Sequence, residues 1–181
     1  LVLATAPGAY GAVMPLAPGN QPSRVAIGDL NGDGLNDLAV ALDSVGTIVV
    51  LRQTAGMAGS FDAPIDLGTG GVARILEVAD VNADGFADLI YSNLGSARLS
   101  IRFQDRTNPG TLLPAFDVPM GPSPAGLTLA DLDGNGLLDV AVADDIADAV
   151  VVALQTAPGV LNVTGPFVAG NGASSVIAAD I

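Results

Sequence analysis

A chain of 181 residues, half of them hydrophobic, can fill one substantial core without disulfide staples, and it contains no Cys. Nineteen acidic residues stand against six basic ones, a net charge of −13, so the basic patches that nucleic-acid or anionic-membrane partners require are missing. His, Cys and Lys are all absent, which removes the usual nucleophile–base pairs and points away from an enzyme.

In chain order, the first 21 residues carry Gly, Pro and short apolar runs, and they repeat later in the sequence: Leu3, Thr5, Ala6, Pro7 and Gly8 recur as Leu154, Thr156, Ala157, Pro158 and Gly159. Next comes an alternating apolar segment, Arg24–Gly28, then the loop Asp29-Leu-Asn31-Gly-Asp33-Gly34-Leu35-Asn-Asp37, then a second apolar run, Leu38–Leu42, and a third, Thr47–Leu51. The same order returns with Ile75–Ala79, the loop Asp80 to Asp88, Leu89–Tyr91 and Ala97–Ile101, and again with Gly126–Ala130, the loop Asp131 to Asp139, Val140–Ala143 and Ala149–Ala153. The loops begin 51 residues apart both times, at 29, 80 and 131. Runs of this length and alternation between Gly/Asp turns predict strands. A weaker fourth strand is expected near Phe61, Phe116 or Phe167.

Four short strands per repeat, with no segment of helical period, predict an all-β fold of β-propeller blades, each of four antiparallel strands. Three full repeats are expected, with partial blades at both ends: 1–21 closes a preceding blade, 22–72, 73–123 and 124–173 are the repeats, and 174–181 starts a fourth, with Asp180 at the first position of its loop. Mean hydropathy is +0.53, yet the apolar residues come in short runs, and none reaches the roughly 18 that a membrane-spanning helix needs. Membrane insertion is therefore not expected.

Apart from Glu77, every acidic residue is Asp, and short carboxylates in such excess suit loops that wrap a hard cation. Positions 1, 3, 5 and 9 of each loop supply oxygen side chains: Asp29, Asn31, Asp33 and Asp37; Asp80, Asn82, Asp84 and Asp88; Asp131, Asp133, Asn135 and Asp139. Position 7 (Leu35, Phe86, Leu137) is apolar and offers its main-chain carbonyl, and position 6 is Gly in all three. Asp, Asn and Gly also build plain turns, but three copies in register favour about three Ca²⁺ sites, one per loop. An EF-hand is disfavoured, since its position-12 Glu is replaced by Val40, Tyr91 and Val142 and flanking helices are missing.

The pattern apolar-x-apolar-x-Asp-x-Asn-x-Asp-Gly-x-x-Asp-Leu, with a Phe at the last strand, resembles the FG-GAP/VCBS repeats of integrin-α-like propellers. The resemblance covers essentially the whole chain; Ala83 stands where the first loop has Gly32, without loss of a ligand. It implies four-stranded blades, usually seven to a ring, with calcium held between the first two strands. It also implies an extracellular or cell-surface module for adhesion, ligand binding or protein–protein interaction, with a protein or carbohydrate ligand or further copies of itself as partner. The alternatives are a structural subunit of a surface fibre or envelope assembly, and an accessory domain of a larger secreted hydrolase or lectin.

Among the remaining polar residues, Glu77 is expected to face solvent from a first strand, and Arg98, Arg102 and Arg106 read as scattered surface charge. Asn162-Val-Thr164 matches a glycosylation sequon, which implies a surface position.

Overall fold

The computed structural model describes residues 1–2, 4–7, 9–10 and 15–179. Asp180, the expected start of a fourth loop, lies outside them, as do Leu3 and Gly8 of the repeated opening segment. Among the described residues every regular element is a strand. A short hairpin of β1 (Ala4–Ala6) and β2 (Ala9–Tyr10) precedes three four-stranded antiparallel sheets. The first contains β3 (Pro22–Gly28), β4 (Asp37–Leu42), β5 (Thr47–Leu51) and β6 (Ile65–Asp66). The second contains β7 (Leu76–Ala79), β8 (Asp88–Asn93), β9 (Arg98–Arg102) and β10 (Phe116–Pro119). The third contains β11 (Pro124–Ala130), β12 (Asp139–Asp144), β13 (Ala149–Ala157) and β14 (Val160–Val168). Each sheet is a simple meander in chain order, and the three do not close into a ring.

The second strand of each sheet is buried on both faces, which explains its nearly continuous apolar sequence. In β4 the large Leu38, Val40 and Leu42 turn toward Leu16 and Phe61, while the small Ala39 and Ala41 face the second sheet. Leu89 and Tyr91 of β8 occupy the space those alanines leave, and Ile90, on the opposite face, joins Val140 and Val142 of β12. Between the first two sheets, bulk on one side thus matches the shallowness of the other. The approach is close where the first strands meet: a methyl group on Gly28 of β3 would lie 2.4 Å from Val78 Cγ1 of β7.

The fourth strand departs from expectation in two of the three sheets. β10 does open at Phe116. Phe61, however, makes only an isolated bridge to Gln53, and β6 is confined to Ile65–Asp66, because the register slips by one residue between Gln53↔Phe61 and Val50↔Ile65. In the third repeat a tight turn at Pro158-Gly159 replaces the longer loops, so β13 and β14 pair from Ala157↔Val160 onward and Phe167 lies near the end of β14.

Candidate metal centre

Each Asp-rich loop connects the first and second strands of its sheet and is closed by two carboxylates. The position-1 Asp accepts main-chain N–H groups from inside the loop: Asp29 from Asn31, Gly32, Asp33 and Gly34, Asp80 from Asp84 and Gly85, and Asp131 from Gly134, Asn135 and Gly136. The Gly136 N–H, chief among these donors, helps hold the Asp131 carboxyl below its ordinary pKa. Such convergence of N–H groups needs left-handed backbone at position 6, where Gly34, Gly85 and Gly136 have φ of 83°, 89° and 86°. Ala83 adopts φ 56° at position 4 of the second loop, where the other loops have Gly32 and Gly134.

The position-9 Asp opens the second strand and is fully buried in all three repeats. Its two oxygens take different partners. One accepts the N–H of position 2 (Leu30 3.0 Å, Val81 3.0 Å, Leu132 2.6 Å), and the other accepts the N–H of a residue just beyond the third strand or at its end (Gln53 2.9 Å, Gln104 2.9 Å, Gln155 2.7 Å). Burial is the largest influence on Asp88 and raises its pKa to about 6, against the lowering effect of the Gln104 and Val81 N–H groups. Asp37 is raised for the same leading reason.

Among the described residues, the third loop gathers three carboxylates, those of Asp131, Asp133 and Asp139, with one oxygen of each within 4.8 Å of the others. Calcium–oxygen distances of about 2.3–2.6 Å set ligands on opposite sides of the ion about 5 Å apart, so this donor set fits the ion in size and chemistry. Asn135 of the same loop donates from Nδ2 to Gln155 O at 2.8 Å, while its Oδ1 accepts the Leu137 N–H. In the first two loops position 3 is Asn, and its amide bridges to the position-5 carboxylate: Asn31 Nδ2 to Asp33 Oδ2 at 2.9 Å, and Asn82 Nδ2 to Asp84 Oδ2 at 3.2 Å. The position-5 carboxylates also accept the N–H of Leu35 and Phe86 at position 7. The structure thus places the oxygen side chains of positions 1, 3 and 5 around each loop, with the buried position-9 carboxylate beneath them and, in the third loop, within reach of the position-1 and position-3 oxygens.

A family profile for the FG-GAP-like repeat matches residues 29–91 and 80–142. The chain belongs to the FG-GAP-like repeat family. The overlapping matches run from the start of the first loop into the second strand of the third sheet and cover more than half of the chain. No curated protein matched the sequence.

Two further residues of the site carry no carboxylate. Gln104 and Gln155 are 1% and 0% exposed, and each directs its side-chain amide across a sheet interface to main-chain carbonyls of the Asp-rich loops. Their one sequence signal is recurrence with Gln53 at the repeat spacing, at 53, 104 and 155. The arginines take separate partners: Arg98 pairs with Asp117, Arg102 donates to Leu67 O, and exposed Arg106 stands 3.9 Å from Asp84. Glu77 is exposed on β7, and Asn162 is exposed on β14. No helix of the described residues is long and apolar enough to cross a membrane.

Proposed function

We propose that this FG-GAP-like repeat chain is an extracellular calcium-binding module for adhesion, ligand binding or protein–protein interaction, without catalytic activity of its own. The observation that carries this is the oxygen-donor set repeated in register, gathered most tightly at Asp131, Asp133 and Asp139. Calcium would be held at the first loop by Asp29, Asn31, Asp33 and Asp37 with the Leu35 carbonyl, and by the matching residues of the other two. It would supply charge neutralisation for carboxylates gathered on one turn. Affinities of about 10⁻⁴–10⁻³ M are expected for such modules, and sites that weak fill only where calcium is millimolar, which supports a place outside the cytosol.

A structural role in a larger assembly is the second reading. It is favoured by the exposed apolar side chains Val163, Phe167 and Val168 on β14, which no other sheet among the described residues covers. Titration calorimetry decides the calcium question. Three sites are expected in the native chain and two in Asp131→Asn. Absence of any calcium heat from the folded protein would remove the proposal.

A further inference from the structure

The two buried glutamines do more than fill space. Gln155 donates from Nε2 to Leu138 O, at position 8 of its own loop, at 2.7 Å, and to Val81 O, at position 2 of the preceding loop, at 2.9 Å. Its main-chain N–H holds Asp139, its main-chain carbonyl accepts Asn135 Nδ2, and its Oε1 accepts the Gly159 N–H. Gln104 repeats the arrangement one sheet earlier: Nε2 to Ala87 O at 3.0 Å and to Asp29 O at 3.4 Å, its N–H on Asp88 Oδ1 and its Oε1 accepting the Gly110 N–H.

We propose that Gln104 and Gln155 are positioning residues that link the three Asp-rich loops in series, so that order in one loop is felt by the next. The inference rests on the calcium-loop reading above and adds to it a regulation of filling. Each amide has two hydrogens and spends them on carbonyls of two different loops. With 1% and 0% exposure, neither amide has water available as a substitute partner. Displacing either loop therefore leaves a buried amide hydrogen without a partner, a cost the other loop's already bonded carbonyl does not offset. The same residue's main chain fixes the position-9 carboxylate, so a cation that draws on Asp88 or Asp139 pulls on the bridge to the neighbouring loop. A discrete shared element biased from both sides is what coupling between sites requires. The shorter bonds at Gln155 make the link between the second and third loops the tighter of the two.

The test is amide hydrogen exchange on the full chain, with calcium and with chelator, read on peptides covering 131–139. A lesion in the second loop, Asp80→Asn, is placed in the native and the Gln155→Met backgrounds. In the native background the lesion should speed exchange of the third loop by about fivefold or more, and in Gln155→Met it should leave that loop unchanged. An equal effect in both backgrounds, or none in the native chain, overturns the link. If Gln155→Met does not fold, Gln104→Met with Asp84→Asn, read on 29–37, serves in its place, and the longer 3.4 Å bond predicts a smaller effect in the same direction. No effect there overturns the link equally. Coupling that persists in chelator while calorimetry finds no calcium binding would sink the calcium reading and leave the link standing. Three calcium sites without coupling would do the reverse.

Discussion

Asp88 meets two opposing demands, because closing its loop requires an acceptor for two N–H groups and burial penalises the charge that makes it a good one. Burial wins, and the folded pKa of about 6 lies above the ordinary carboxylate value. The sign follows from proton linkage: with the folded value raised, the native state binds the proton more tightly than the unfolded chain. The metal-free fold is then most stable below about pH 4 as far as Asp88 is concerned, and it loses that stability as pH rises through about 6, on the order of 2 to 3 kcal/mol in all. Asp37 acts in the same direction. Melting in chelator should therefore shift to higher temperature from pH 7 to pH 5, and calcium should weaken below about pH 6 because it competes with the Asp88 proton. A flat profile for the native protein, or one unchanged by Asp88→Asn, would mean that Asp88 is ionised throughout. Ser92 offers a second test at this scale. Its buried Oγ accepts the N–H groups of Arg74 and Ile75, each at 2.9 Å, so Ser92→Ala should cost about 1–3 kcal/mol by leaving both unpaired. Chemical denaturation measures it, and a loss below about 0.5 kcal/mol would show that water replaces the hydroxyl.

At the scale of strands and sheets, the first three strands of each repeat were legible because their apolar runs are bounded by loops of fixed composition. The Asp-rich loops between first and second strands were legible too, since oxygen side chains recur at the same alternate positions in all three. The fourth strand was less so: its extent depends on the register slip between Gln53↔Phe61 and Val50↔Ile65 and on the shortened turn at Pro158-Gly159, which local alternation does not reveal. Gln104 and Gln155 were missed for a different reason. Their partners at Asp29, Ala87, Val81 and Leu138 are main-chain carbonyls, so no side-chain pattern announces them. The interface between the first two sheets makes its own prediction. Gly28→Ala sets a methyl group 2.4 Å from Val78 Cγ1, and the resulting overpacking should cost about 1–3 kcal/mol. Gly34→Ala has nothing within 4 Å of the new methyl group, so any loss there comes from its φ of 83° alone. A Gly28→Ala protein as stable as the native one would show that β3 and β7 can separate without loss.

Over the whole molecule, sheets add one to the next as in other repeat proteins, each burying part of its predecessor. Leu30 and Val81, at position 2 of the first two loops, are 1% and 0% exposed beneath the following sheet, whereas the equivalent Leu132 is 43% exposed. The stack carries a net charge of −13, concentrated in part at the three loops, so cation binding should stabilise the entire fold and not the loops alone. At calcium tenfold above Kd each site contributes about 1.4 kcal/mol, and three sites together should raise the melting temperature by about 10 °C for a chain of this size. The most direct measurement is the thermal unfolding of the full chain at pH 7 across a calcium series from chelator to about 10 mM, with magnesium at equal concentrations as the control. The melting temperature should climb with calcium, respond far less to magnesium, and lose about a third or more of its rise in Asp131→Asn. The same melting temperature in chelator and in 10 mM calcium would contradict calcium binding.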